Sequence, residues 1–483
     1  MEQVNSNNKD SEGRISLLDS SLRSELRSRG LYYVRLMGIS TVMLWAAMSI
    51  FYGAVFRRST YIYRTQLELV DLDHGPVGAG IVQAALAAIA ESQSVASANV
   101  DGWRTQPTWR QRRDFATIGS VRSWVRRHGW GALVINSGAS ARLADALLAA
   151  NSSSGYRAAD AVTLLLNTGR HPIIELTYLQ PALTGVGSAA ITKFSTQLLG
   201  TLNLQTARLT PALVAQPVGL TVSSVAPMTF SIAPVVYLFG FLTGLLCVVG
   251  PLIAWKLTTA AFFERTKHRH VWLGAVALIM GWATYIALLG ALAQAAFRGP
   301  AYSAQALAYT VGRFFSVWMT EAMVLTTTGL WLANWFLLLT PELQGLASLM
   351  TVLPNIVSTL VPTQTAPRFY RWMYAGSFYN GAMLYRYVLS GAYPQIGLNV
   401  GVVLGEMAAL AAVLYATTWV RQYVLVAGLS DVPGWYRGSK FFAGKKKNEP
   451  AEGSVRRSLW STPGTIDDSD NDAVSLQNGD LGV

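Results

Sequence analysis

Two carboxylates stand inside apolar runs. Glu406 lies in VVLGEMAAL, and Glu321 lies in a run that also holds Trp318 and Asn334. An acid inside a bilayer is costly, so it faces a bundle interior or a water-filled cavity. There it lines a path, relays protons or ties helices together. Gly401 and Gly405 fall on the turns before Glu406 and let another helix approach closely. Arg386 follows an apolar stretch and has the charge to pair with an acid or a lipid phosphate. Glu406, Glu321, Arg386 and Asn334 are therefore the candidate lining of a translocation path. The competing reading makes both acids buried ties, hydrogen-bonded to partners such as Asn334 or Tyr415.

Outside those runs, Asp71 and Asp73 are followed by Gly75 and Gly78. Two acids at that spacing suit either an external cation or a turn that caps the next helix, and the cap is the commoner use. Asn151-Ser152-Ser153 is an acceptor for N-glycosylation, which happens on the lumenal or outer face. His268 and His270 sit in a basic loop, where they anchor charge rather than catalyse. The single cysteine, Cys247, forms no disulfide within the chain and no metal cluster. No metal and no cofactor is expected. The chain has no G-x-x-x-x-G-K-[ST], G-x-S-x-G or H-E-x-x-H motif, and it does not read as an enzyme.

The elements that carry these residues follow from hydropathy. The chain is 51% hydrophobic and 13% charged, against about 25% charged in ordinary soluble domains. A helix needs roughly 20 apolar residues to cross a bilayer. Six segments qualify: 36–56, 233–255, 271–297, 314–339, 343–361 and 396–420. The fifth is short and holds Pro354, so it reads as crossing fully or as broken and re-entrant. The fold class is an α-helical integral membrane protein of about six spans. Residues 57–232 form an α/β extracytoplasmic domain between spans one and two. The net charge of +12 gathers at span ends and faces lipid head groups, and nucleic acid is excluded as a partner.

Arg23, Arg27, Arg29 and Arg35 flank the first span. Lys256, Arg265, Lys267 and Arg269 follow the second, and Arg421, Arg437, Lys440 and Lys445 follow the last. The positive-inside rule makes that side cytosolic, with both termini on it. The first span is an uncleaved signal anchor, because the residues before it are too polar for a cleaved leader. Residues 1–34 and 421–483 are cytosolic tails, the first disordered and the second disordered from about 444. The membrane block is 233–420, with an outer loop at 362–395 dense in Tyr, Trp, Phe and Arg. That composition suits a membrane interface, with short helices dipping into the outer leaflet.

In the external domain, 66–72 and the run WGALVINS read as strands. Residues 77–92, 111–128, ASARLADALLAA and 186–200 read as helices. Alternation of this kind favours a mixed or parallel sheet with helices against it.

Several motifs together carry a family likeness. They are SIFYGAVFRR at 49–58, VDLDHGPVG at 70–78, WGALVINSGAS at 130–140 and APMTFSIAPVVYLFGF at 226–241. FYRWMYAGSFYN at 369–380 and GLNVGVVLGE at 397–406 complete the set. Over residues 35–425 the chain resembles the fungal nitrosoguanidine-resistance membrane protein family. That family is similar in layout to bacterial phage-infection proteins and the membrane half of type-2 ABC exporters. Glu406 falls where relatives are expected to carry an apolar or aromatic residue. The resemblance implies a permease-like plasma-membrane protein that exports, or confers resistance to, small toxic molecules. Its partners would be membrane lipids, a second copy in a homodimer, and a separate ATPase or a secreted or surface protein. The alternative is a non-transporting plasma-membrane protein that organises secretion, lipids or host interaction, including virulence, through its external domain.

Overall fold

The computed structural model describes residues 23–55, 58–97, 105–148, 156–201, 211–228, 252, 266–298, 306–339 and 341–426. Asn151, Cys247, the expected second span apart from Leu252, and the tails beyond these limits lie outside the described residues.

A five-stranded sheet occupies the region between the first span and the later helices. Its strands are β1 (Gln66–Asp71), β2 (Thr108–Arg112), β3 (Gly131–Ile135), β4 (Val162–Leu166) and β5 (Leu220–Ser224), in the order β2-β1-β3-β4-β5. Only the β3–β4 pair is antiparallel, so the sheet is mixed. GALVI and VTLLL are buried at every residue, which is why they read as continuous apolar runs rather than alternating ones. One face carries Leu67, Leu69, Leu133 and Leu164 against helices α2 (Pro76–Ser97), α4 (Ala139–Leu148) and α5 (Gln180–Thr201). The other face packs Val70, Val134 and Leu165 against Val121 and Val125 of α3 (Ile118–Arg127). Each such side chain contributes about 1.5–3 kcal/mol when fully buried.

Residues 111–128 are not one helix. Gln111 and Arg112 end β2, and α3 begins only after Thr117, whose side chain accepts the Ser120 N–H as an N-cap. The apolar spacing of Phe115, Ile118, Val121 and Val125 is real, but Phe115 precedes that cap.

The helical block comprises α1 (Arg23–Val55), α6 (His268–Ala296), α7 (Val311–Leu338), α8 (Pro341–Leu360), α9 (Ser377–Ser390) and α10 (Ile396–Val426). Helix α1 starts at Arg23, so residues 23–34, expected in a disordered tail, are helical. Among the described residues four helices are long and apolar enough to cross a membrane: Val34–Ala54, His268–Ala296, Glu342–Leu360 and Ile396–Gln422. The sheet and these helices are the coarse architecture of a helical membrane protein.

Helix α7 is long but more polar, and it occupies the centre, packing on α6, α8, α9 and α10. Its threonines hide their hydroxyls on carbonyls one turn back: Thr326 on Ala322, Thr327 on Met323, Thr328 on Val324. Pro354 does not break α8, which runs unbroken around it. The interruption falls in the next segment instead. The chain leaves α8, makes 3-10 turns at Thr363–Thr365 and Arg368–Ala375, and forms the fourteen-residue α9.

Candidate functional site

Helix α9, at 14 residues, is half the length of α7 and less than half that of α10, and it is buried almost throughout, from Ser377 to Arg386 and again at Leu389 and Ser390. Its two ends lie at different levels of the block. The C-terminal end lies beside the sheet domain, because the Tyr393 N–H donates to the Arg126 carbonyl at the end of α3 at 3.2 Å. The N-terminal end lies beside Glu406, ten residues into α10 and so about 15 Å along it at 1.5 Å per residue.

A buried helix start leaves backbone N–H groups without intrahelical partners. Glu406 supplies one. Its Oε2 accepts the backbone N–H of Ser377, the first residue of α9, at 2.7 Å, and its Oε1 accepts Trp331 Nε1 of α7 at 2.8 Å. A carboxylate at a helix N-terminus also complements the positive end of the macrodipole. The opposite end is matched. Arg313, near the start of α7, donates from Nη1 to the Val388 carbonyl at 2.8 Å, and Gly391 closes the helix at φ +72°.

Glu321 holds the middle of the same helix. Its Oε2 accepts from Tyr385 Oη of α9 at 2.9 Å and from Gln294 Nε2 of α6 at 3.3 Å. Glu321 is 2% exposed. The acid fits because Gly290 on α6 has no side chain: a methyl there would stand 2.8 Å from Glu321 Oε1. Both acids thus converge on α9, while lying on different helices. Their partners are not those anticipated. Tyr415 bonds His268 at 2.7 Å, and Asn334 bonds the Leu330 and Leu410 carbonyls and Thr417, tying α7 to α10.

Arg386 follows Tyr385 in sequence, about 100° round the helix, and so faces elsewhere. It is buried and lines a small space at the border with the sheet domain, together with Arg170. Of the four candidate path residues, then, Glu406 and Glu321 share α9, Asn334 is a separate tie, and Arg386 belongs to another site. Tyr385, Gln294, Trp331 and Ser377 complete the cluster and carried no signal in the sequence, being ordinary residues made polar partners only by packing.

In the sheet domain, Asp71 and Asp73 serve the turn. Asp71 Oδ1 accepts the N–H groups of Asp73 and His74 at 3.0 and 3.1 Å. Asp73 accepts from the Gly78 N–H of α2 at 3.2 Å, from the Ser140 N–H of α4 at 2.9 Å and from the Ser140 hydroxyl, so one carboxylate caps two helices. Partial burial pushes its pKa up, but the bonds from Ser140, Gly78 and Gly75 outweigh that and hold it below the usual carboxylate range. Among the described residues no group of three or more His, Cys, Asp or Glu is placed to hold a metal ion.

A group the sequence did not single out is Glu175. It opens a π turn, Glu175–Leu179, is fully buried, and has no hydrogen-bond partner for either carboxylate oxygen among the described residues. Burial pushes its pKa up to about 8, offset only in part by the nearby Asn167 amide and Arg170 guanidinium.

A sheet domain on a helical block, with one half-length helix pinned by acids from its neighbours, is the plan of a multi-helix membrane protein. The chain belongs to the family described as "Protein of unknown function (DUF3533)", whose model matches residues 37–411. No curated protein and no solved structure matches it.

Proposed function

We propose that this protein is a permease-like exporter of small toxic molecules, conferring resistance to them, and that α9 is its gate. The observation that carries the reading is the Glu406–Ser377 bond, which caps a half-helix start inside the block. Half-helices that begin within the membrane are a recurring device at transport sites, where their N-termini face anionic groups. In this reading α9 is re-entrant from the outer side. The bonds of Glu406 and Glu321 hold it closed, and breaking them releases it. Drive comes from a proton gradient through these acids or from a separate ATPase.

The same proposal places six spans in the plasma membrane, the second at 233–255. Both termini are cytosolic, Asn151 is glycosylated on the outer side, and two copies assemble as a homodimer. The test is efflux from cells expressing the chain. Glu406→Gln is expected to lower efflux about tenfold or more while leaving expression and location unchanged. Normal efflux by that variant removes the case for the gate.

One observation favours the second reading, an organising role through the external domain. A groove of about 580 Å³ runs beside α2 and α5, lined by Trp109, Tyr178 and Glu91 among others. A photocrosslinker at position 109 of the full-length chain in cells tests it: one reproducible adduct supports that role, and none counts against it.

A further inference from the structure

Between α3 and the chain leaving β5 lies a cleft of about 340 Å³. Arg122, Ser123, Arg126 and Arg127 line it from α3, and Ser224 and Val225 line it from the strand side. Positions three and four apart on a helix are neighbours, so the α3 residues share one face. Two of the arginines are fixed to the strand. Arg122 Nη2 donates to Ser223 Oγ at 3.3 Å, and Arg126 Nη2 donates to the Val225 carbonyl at 2.8 Å. Four helical residues rise about 6 Å and two strand residues about 6.6 Å, so both side chains cross from helix to strand without strain. Each bond uses one of the five N–H groups of a guanidinium and leaves the others for a ligand. Arg127 is exposed and makes no hydrogen bond or ion pair among the described residues.

No acid answers this charge. The cleft is lined by three guanidinium groups and no carboxylate, and none of the three forms an ion pair among the described residues. Like charges on one face repel, and an oxyanion between them reverses the sign of the interaction. The planar fork of arginine matches phosphate with paired hydrogen bonds, and the exposed Ser123 hydroxyl is a further donor. The volume suits a phosphate ester, since small-ligand pockets begin at about 300 Å³.

Position selects the source of the phosphate. The Arg126 carbonyl accepts the Tyr393 N–H, and Tyr393 lies three residues before α10, whose stretch Ile396–Gln422 is long and apolar enough to cross a membrane. Three residues of chain reach at most about 11 Å. On the other wall, Val225 lies three residues before Met228, which packs with Ala291, Val317 and Phe378 of the helical block. The cleft is therefore level with the helix ends, where head groups form a layer about 5–8 Å deep outside the hydrocarbon. A zwitterionic head group brings its own cation among three others, and an anionic one does not.

We propose that this cleft binds the phosphate of an anionic lipid head group on the sheet-domain side of the membrane, with Arg122, Arg126 and Arg127 as its ligands. It shares no residue with the Glu406 and Glu321 ties or with the groove at Trp109, so it stands or falls separately from both readings of function.

The test uses the full-length protein, stripped of lipid in a neutral detergent. Native mass spectrometry follows adducts of dioctanoyl phosphatidic acid and of dioctanoyl phosphatidylcholine. One phosphatidic acid per chain is expected to bind ahead of any phosphatidylcholine, and about tenfold more weakly in Arg127→Gln, which loses a charged hydrogen bond. Arg127 holds no other group in place, and an unchanged melting temperature verifies that this variant is folded. Arg113→Gln, at an exposed arginine outside the cleft, is expected to bind as the wild type does. Equal binding of the two lipids overturns the proposal, as does undiminished binding by Arg127→Gln or an equal loss in Arg113→Gln. Sodium phosphate at the same concentration is expected to leave the phosphatidic acid bound. Displacement by it assigns the cleft to soluble phosphate and overturns the lipid source.

Discussion

The carboxylate of Glu406, ten residues into α10, caps α9 by accepting the Ser377 backbone N–H at 2.7 Å. This places the start of a short helix inside a block of long ones, and the same carboxylate fixes Trp331 of α7. Three helices therefore meet on one acid. Leaving a buried donor without an acceptor costs about 1–3 kcal/mol. Glu406→Ala strands two donors at once, so it is expected to lose about 2–5 kcal/mol of stability. Glu406→Gln keeps an acceptor for one donor and is expected to lose about half as much. Thermal unfolding in lipid nanodiscs checks the order wild type, Gln, Ala. Equal melting of all three would remove the capping role.

The Glu321–Tyr385 bond at 2.9 Å is expected to be coupled, not additive. Tyr385→Phe leaves a buried carboxylate with the longer Gln294 bond at 3.3 Å, and a loss of about 1.5–3 kcal/mol follows. In Glu321→Gln the same Tyr385→Phe change should matter less, giving an interaction energy of about 1 kcal/mol or more in the double-mutant cycle. Additive losses would mean that the two side chains do not depend on one another. Gly290→Ala provides a third view, since its methyl would stand 2.8 Å from Glu321 Oε1 and displace the carboxylate.

Glu175 makes stability fall as pH rises. Its folded pKa of about 8 lies above the ordinary carboxylate value of 4.5. Below 4.5 both the folded and the unfolded states hold the proton and no penalty exists. Between 4.5 and 8 the unfolded chain releases it and the folded one does not, so stability is lost progressively; above 8 the penalty is complete, of the order of a few kcal/mol. Glu175→Gln should therefore gain on the wild type as pH rises from 5 to 9. Parallel melting curves for the two proteins across that range would show that Glu175 is not buried as described.

Asp73 should behave in the opposite direction and locally. Its folded pKa is depressed, so its contribution is present above the ordinary carboxylate range and is lost as pH falls through the folded value. Asp73→Ala removes caps from α2 and α4 together, with a loss of about 1–3 kcal/mol. Calcium or magnesium should leave melting unchanged, because the carboxylates already serve N–H groups. A divalent-dependent rise in melting temperature that vanishes in Asp73→Ala would restore the cation reading.

What could be read ahead of the structure was whatever depends on composition over many residues. The uncharged run from Val271 to Phe297 is α6, and the strand in WGALVINS is β3, because length and unbroken apolarity leave few alternatives. β4 and β5 were not read as strands: VTLLL is as short and apolar as β3, and such a run fits a buried helix as well as a strand, while LTVSS is too short and polar to show a period. The end of β2, Gln111 and Arg112, reads as helix because the apolar spacing of α3 runs back through Phe115, past the Thr117 cap. The two acids stood out because charge is rare in such surroundings. Their partners did not, because Glu406 answers a backbone N–H, which has no sequence signature, and Glu321 answers an ordinary tyrosine. α9 itself, SFYNGAMLYRYVLS, has the aromatic composition of an interface, and only its packing between α7, α8 and α10 makes it a buried half-helix.

The most direct test of the central claim is movement of a panel of lipophilic and alkylating compounds by the purified protein in liposomes, with and without a proton gradient. Wild type, Glu406→Gln and Glu321→Gln are compared at equal, verified folding. The account predicts gradient-dependent movement by the wild type, reduced about tenfold or more in both variants. Equal movement by all three would contradict the account, and no movement by well-folded wild type under either condition would contradict drive by a proton gradient through these acids.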